Sequence, residues 1–233
     1  MGNRHGSEGH RDAAGDDLAL QPFHGVLSPG ICFASGHCVV LNTYSSTPTS
    51  IGAFDEVWMI TPDGDRLLYA DPPEAGPVLE TYHDFDRTCG ATITWDRASE
   101  DRVKVDIDAE DGTTCTIRAD LGVPRNIRLL NAMMTLTPRP IVRTAIGQRL
   151  ITLSFRQLIE TNGLQIAGRT ETREPYRVES ERMRAVTSAD AMLDGEDLGD
   201  VAPPDRLIEF GDHRVPDEPL IVFGDMYLQP PGA

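Results

Sequence analysis

The densest set of chemistry-bearing residues in this chain is Tyr82-His83-Asp84-Phe85-Asp86. An imidazole beside carboxylates can act as a general base or a metal ligand, and its charge can change near neutral pH. No second histidine lies at ligand spacing, and H-D-x-D between two strands also describes a solvated acidic loop. A second set, Arg143, Arg149 and Arg156, lies among apolar residues. Guanidinium groups there could hold a ligand carboxylate through two parallel hydrogen bonds. On an acidic chain the ordinary role of such arginines is to pair with the chain's own carboxylates.

His24, Cys32, His37 and Cys38 supply four groups that a soft metal would accept. Their C-x4-H-C spacing matches no zinc pattern, and neighbours on a strand point to opposite faces. Buried free cysteines are common core residues, so no metal is expected. Lys104 is the single lysine of the chain. A Schiff-base lysine must be desolvated or sit near other cations, whereas Asp106, two residues on, favours the charged, unreactive ammonium. Sequences opening a dinucleotide or phosphate site, a zinc-peptidase helix or a nucleophile elbow are absent, and no cofactor is expected.

Composition narrows the function classes further. Twenty of the 21 basic residues are arginine, against 37 acidic ones, for a net charge of -16. That charge disfavours nucleic acid and anionic membrane as partners. Acidic excess with almost no lysine is the composition of a protein working in concentrated salt, where the Debye length falls to roughly 3 Å. A GC-rich genome would also favour arginine, but it does not account for 23 aspartates against 14 glutamates. No leader-like apolar segment and no 18-residue apolar run is present, so a cytoplasmic protein with four reduced cysteines (Cys32, Cys38, Cys89 and Cys115) is expected.

These residues have to be positioned by strands. Residues 1–19 read as a disordered arm and 20–233 as one β-rich domain. Glu56–Thr61 and Arg66–Ala70 form a hairpin around Pro62-Asp63-Gly64-Asp65. Ala91–Trp95 alternates, as does Arg102–Asp108, with Val103, Val105 and Ile107 on one side and Lys104 on the other. Thr113–Ala119 completes a second hairpin. Asn162-Gly163 predicts a hairpin from about 149 to 170, after a short helix or loop following Pro138 and Pro140. Tyr176–Val178, Met183–Leu193, Leu207–Phe210 and Leu220–Leu228 complete the strands. The expected fold is mainly β, a single antiparallel barrel or cone with at most one short helix. A β-sandwich or lipocalin-like barrel is the alternative.

Ile51-Gly52-Ala53-Phe54-Asp55-Glu56-Val57-Trp58-Met59-Ile60-Thr61-Pro62, followed by Arg66-Leu67-Leu68-Tyr69-Ala70-Asp71, resembles the start of acetoacetate-decarboxylase-like proteins. Those carry a G-P-Y-x-E segment, a strand ending in proline and an I-Y-V-D strand. The resemblance spans about twenty residues. It implies a β-rich cone enclosing a pocket, with Glu56 at the motif's glutamate. The family's G-R-E-x-x-G-F-P-K-K stretch is replaced by Pro72–Asp86, so its reactive lysine has no counterpart. Three functions follow. The leading one is a small organic ligand held inside a β-barrel. The second is a cofactor-independent enzyme on a small carboxylic or keto acid, with Glu56 and His83 as acid and base. The third is a non-catalytic partner-binding protein. Oligomeric state is not legible.

Overall fold

The computed structural model describes residues 20–229, apart from 143, 145, 148, 149, 152 and 155–164. The arm at 1–19 and Arg143, Arg149 and Arg156 fall outside the described residues. In chain order come β1 (Gln21–Cys32), β2 (Cys38–Ser46), β3 (Phe54–Ile60), β4 (Arg66–Asp71), α1 (Ala75–Leu79), β5 (Arg87–Ser99), β6 (Arg102–Ala109) and β7 (Thr114–Gly122). Then follow α2 (Arg125–Leu136), α3 (Arg139–Val142), β8 (Ala167–Arg169), β9 (Pro175–Leu193), β10 (Glu196–Asp197), β11 (Glu209–Phe210), β12 (His213–Arg214) and β13 (Leu220–Leu228).

The strands are ordered β9-β13-β1-β2-β3-β4-β5-β6-β7, and β7 pairs back onto β9, so the sheet closes into a ring. Closure follows from the length of β9. Its first half pairs with β13, from Tyr176↔Leu228 to Ala185↔Leu220. Its second half pairs with β7, from Ala185↔Gly122 to Leu193↔Cys115. The expected strands at Tyr176–Val178 and Met183–Leu193 are thus one continuous strand.

The sheet is mixed, not wholly antiparallel. β4 and β5 are parallel, from Leu67↔Arg87 to Ala70↔Gly90. A parallel pair needs a crossover, because the chain must return to the same end of the sheet before it pairs. That crossover is residues 72–86, which hold α1 and His83, so one topological choice lays the histidine cluster over the sheet.

Two apolar clusters lie on opposite faces. One joins all nine ring strands, through residues such as Val39, Val57, Tyr69, Ile93, Val105, Ile117, Ala191 and Ile221. Phe33, Leu198 and Val201 add to this cluster from outside the ring strands, and the rest of it is buried by the strands packing against one another. In β6 the alternation is as expected, with Val103, Val105 and Ile107 buried. The second cluster lies on the other face of β9, β13, β1, β2, β3 and β4. It is covered by Leu79 and Tyr82 from the crossover, Ile127, Leu130 and Met134 from α2, and Ile208, Phe210 and Val215. β13, β1, β2, β3, β4 and the first half of β9 therefore carry apolar clusters on both faces, while β5, β6, β7 and the second half of β9 turn one face to solvent.

β1 and β2 lay outside the predicted strands because β1 carries Pro22 and Ser28-Pro29-Gly30, residues that break the strand pattern. They are accommodated by irregular register at His24/Gly25 and Ser28/Ile31. Gly25 faces Gly224 across β1 and β13. A Cβ on Gly25 would stand 1.9 Å from the Thr43 carbonyl oxygen, and one on Gly224 would stand 2.3 Å from that of Glu179. Close backbone approach requires glycine at both places.

Helical content exceeds the expectation of at most one short helix. α2 is twelve residues long and buries Ile127, Leu130 and Met134, a stripe at helical spacing that packs on β9. The hairpin expected over 149–170 falls largely outside the described residues. Leu150, Ile151, Leu153 and Ser154 are helical, and β8 pairs with β9. Leu207 and Ile208 are not strand; only Glu209–Phe210 pairs, with β12. Among the described residues no helix is long and apolar enough to cross a membrane.

Candidate functional site

Between the second cluster's sheet face and its cover lies a cavity that the centre of a water-sized sphere can explore over about 120 Å³. Since one water needs roughly 10–15 Å³ on that measure, the space suits an organic molecule on the order of ten heavy atoms. It stands on the face opposite the filled side of the ring.

The cavity's charged wall residue is Glu56, 1 % exposed. Alternation along β3 puts Phe54, Glu56 and Trp58 on the cavity face and Val57 and Met59 on the other. Asn42 lies directly opposite Glu56 in the β2–β3 register. Its amide nitrogen donates to Glu56 Oε1 over 2.6 Å, and the Tyr44 hydroxyl donates to the same oxygen over 3.4 Å. Glu56 Oε2 accepts no hydrogen bond. Burial pushes the Glu56 carboxyl up to about 7, even though Asn42, the nearby Trp58 indole and Tyr44 all favour the anion; Asp55 adds to the rise.

His83 comes from the crossover and reaches the same cavity. Its ring lies 4.6 Å from the Trp58 ring, so Trp58 joins Glu56 and His83 along one wall. His83 Nδ1 is 3.4 Å from Glu171 Oε2. Glu171 is also paired with Arg66 through Oε1 and accepts the Asp84 backbone N–H at 3.1 Å. Burial works against the Glu171 anion, but His83, Arg66 and the Asp84 amide outweigh it and hold the carboxyl at about 2. His213 is a further wall residue, its Nε2 3.3 Å from the Pro29 carbonyl oxygen. Burial lowers it to about 4 against that bond, so it is neutral at neutral pH.

Several wall atoms are buried without a well-formed hydrogen bond: Ser28 Oγ, Glu56 Oε2, the Trp58 indole nitrogen, His83 Nδ1, the Tyr176 hydroxyl and Ser180 Oγ, although the Trp58 indole N–H lies near enough to Glu56 to favour its anion. Each such group costs roughly 1–3 kcal/mol when left unpaired. Their convergence on one apolar space is the pattern of a ligand site, with few polar groups set in a hydrophobic wall.

The structure does not bring the four soft-metal candidates together. Cys32 and Cys38 sit opposite each other where β1 and β2 meet, and their sulfurs form a disulfide. This corrects the expectation of four reduced cysteines: the hairpin register makes the two thiols neighbours, and Cys89 and Cys115 are free. His37 is hydrogen-bonded to Ser35, while His24 pairs with Asp225 at 2.6 Å near the other end of β1. Among the described residues no group of three or more His, Cys, Asp or Glu is placed to hold a metal. Lys104 is bonded to Asp106 at 2.6 Å on the solvent face of β6, away from the cavity.

Asn42, Glu171 and His213 were not among the sequence candidates. Asn42 was legible in principle, since Val40-Leu41-Asn42-Thr43-Tyr44 alternates once β2 is recognised. Glu171 and His213 reach the site by tertiary contact, with no local pattern to mark them. No protein-family profile, curated protein or solved structure matches this chain.

Proposed function

We propose that this protein binds a small, largely apolar organic ligand in the cavity between the sheet and its cover, with Glu56 as the polar anchor. The observation that carries the reading is the buried Glu56 carboxyl, with one oxygen held by Asn42 and the other unpartnered on an apolar wall. On this reading the ring is a closed β-barrel or cone whose inside serves as core, and the ligand sits against its outer face. This departs from the expected ligand inside the barrel and from the enclosed pocket implied by the likeness of residues 51–71 to acetoacetate-decarboxylase-like proteins, which here agrees only in placing Glu56 at a pocket. The acidic, lysine-poor composition supports a protein working in concentrated salt, while the Cys32–Cys38 disulfide counts against a compartment that keeps thiols reduced. The test is calorimetric titration with 2-phenylethanol, a neutral probe of suitable size. One site per chain is expected, abolished by Val40→Phe, which fills the cavity wall. No binding at millimolar probe, or binding unaffected by Val40→Phe, contradicts the assignment.

A second reading is a cofactor-independent acid–base enzyme. It is favoured by Glu56 titrating near 7, where a proton donor and acceptor work best, with His83 on the same wall. It predicts that the protein catalyses deuterium exchange at C3 of 2-oxobutanoate and that Glu56→Gln abolishes it. Exchange at the uncatalysed rate in the wild type excludes this reading.

A further inference from the structure

Resting on the cavity reading, we propose that the ligand is an organic amine bound as its ammonium ion, with Glu56 as counter-ion and aromatic rings as walls. Among the described residues the lining contains no lysine or arginine. Its rings include Phe23, Tyr44 and Phe54, with centroids 5.0–6.5 Å apart, and Trp58 with Phe210 at 4.9 Å. Aromatic faces attract a cation through the ring quadrupole, and the attraction grows when the cation is desolvated.

The polar groups point the same way. Glu171 is engaged by Arg66 through one oxygen and the Asp84 amide through the other, with His83 Nδ1 3.4 Å away. The open carboxylate oxygen on the wall is Glu56 Oε2. A carboxylate ligand would meet that charge with no guanidinium or ammonium among the described lining residues to offset it. An ammonium would donate to Oε2 and turn an uncompensated buried anion into a paired one. The field of a chain at -16 draws cations toward it.

Of the groups facing Glu56, Tyr44 and Tyr82 have hydroxyls held protonated by burial, and His213 is neutral. Tyr176 is held protonated in the same way, Asp55 adds negative charge from the next position, and His83 stands across Trp58. Protonation of Glu56 itself is therefore the event that should release the amine as pH falls.

The experiment is calorimetry at pH 8 with three matched probes: 2-phenylethylamine, 2-phenylethanol and phenylacetate. The amine should bind about tenfold or more tighter than the alcohol, and phenylacetate weakest. Glu56→Gln should bring the amine to the level of the alcohol, lowering amine affinity about tenfold or more while alcohol affinity changes only a few-fold. In the wild type, amine affinity should fall by up to about tenfold per pH unit below 7, with alcohol affinity changing only a few-fold over the same range. If Glu56→Gln does not fold, the same pH profile in His83→Gln assigns the fall to Glu56, and a profile flattened by His83→Gln overturns the counter-ion role. Alcohol or phenylacetate binding as tightly as the amine overturns the amine assignment and leaves the cavity reading standing. Failure of all three probes to bind overturns both.

Discussion

Asn42 and Glu56 face each other across the β2–β3 ladder, and the Asn42 amide donates to Glu56 Oε1 over 2.6 Å. A short side chain on one strand thus fixes the rotamer of a buried carboxyl on the next. The other carboxyl oxygen stays on the cavity wall without a hydrogen bond. Asn42→Ala should destabilise the protein by about 1–3 kcal/mol, the cost of stripping a buried polar group of its partner. The loss should be larger at pH 8, where Glu56 is charged, than at pH 5, where it is protonated. Equal loss at both pH values in chemical denaturation would show that the amide does not serve the anion.

Glu56 should also leave a pH signature of its own. Its carboxyl titrates near 4.5 when unfolded and near 7 when folded. Between those values the folded chain binds the additional proton, so its contribution to stability is fully present below 4.5 and lost as pH rises to 7. The loss is about 3 kcal/mol. Glu56→Gln removes it, so the variant should gain on the wild type from pH 4.5 to 7 and hold that gain above. Groups with lowered carboxyls, such as Glu171, Asp106 and Asp111, act below that window. Parallel stability curves for the two proteins would contradict a raised Glu56.

Thiol counting tests the hairpin register. With Cys32 and Cys38 bonded, the protein unfolded without reductant should show two titratable thiols, Cys89 and Cys115, and four after reduction. In the folded state Cys115 should stay unreactive at pH 8, since burial pushes its thiol up to about 12, with Asp194 and Asp106 adding to the rise. Four thiols before reduction would show that the pair does not bond in solution.

The net charge of -16 makes a separate prediction about solvent. Repulsion among carboxylates is screened as the Debye length falls from about 10 Å at 0.1 M to about 3 Å at 1 M salt. Thermal midpoint should rise by several degrees or more between dilute and molar KCl. A flat or falling profile contradicts the concentrated-salt reading.

Legibility in the sequence followed how local each signal was. Val103, Val105 and Ile107 could be placed on one face because strict alternation against charged neighbours needs no tertiary knowledge. The mainly β class followed from many such runs. Ring closure by β9 was not legible, because Glu179, Ser180, Glu181 and Arg182 interrupt its apolar pattern between Val178 and Met183. The parallel β4–β5 pair was hidden for a related reason: Pro72–Asp86 reads as loop, and only the sheet order shows that it crosses over. His83 was singled out by its neighbours and Glu56 by a resemblance. Trp58, which joins them along one wall, looks like any core residue in its strand. Disulfide pairing of Cys32 with Cys38 depended on recognising β1 and β2, and glycine and proline in β1 conceal that hairpin.

The central claim is that a buried, proton-holding Glu56 is the anchor of the cavity, and carbon-13 NMR of the side-chain carboxyls tests it most directly. With glutamate labelled, one carboxyl should titrate near 7, vanish from the spectrum of Glu56→Gln, and shift when saturating 2-phenylethanol is added. A spectrum in which every glutamate titrates in the ordinary carboxyl range, or in which the Glu56 resonance ignores a bound probe, would contradict it.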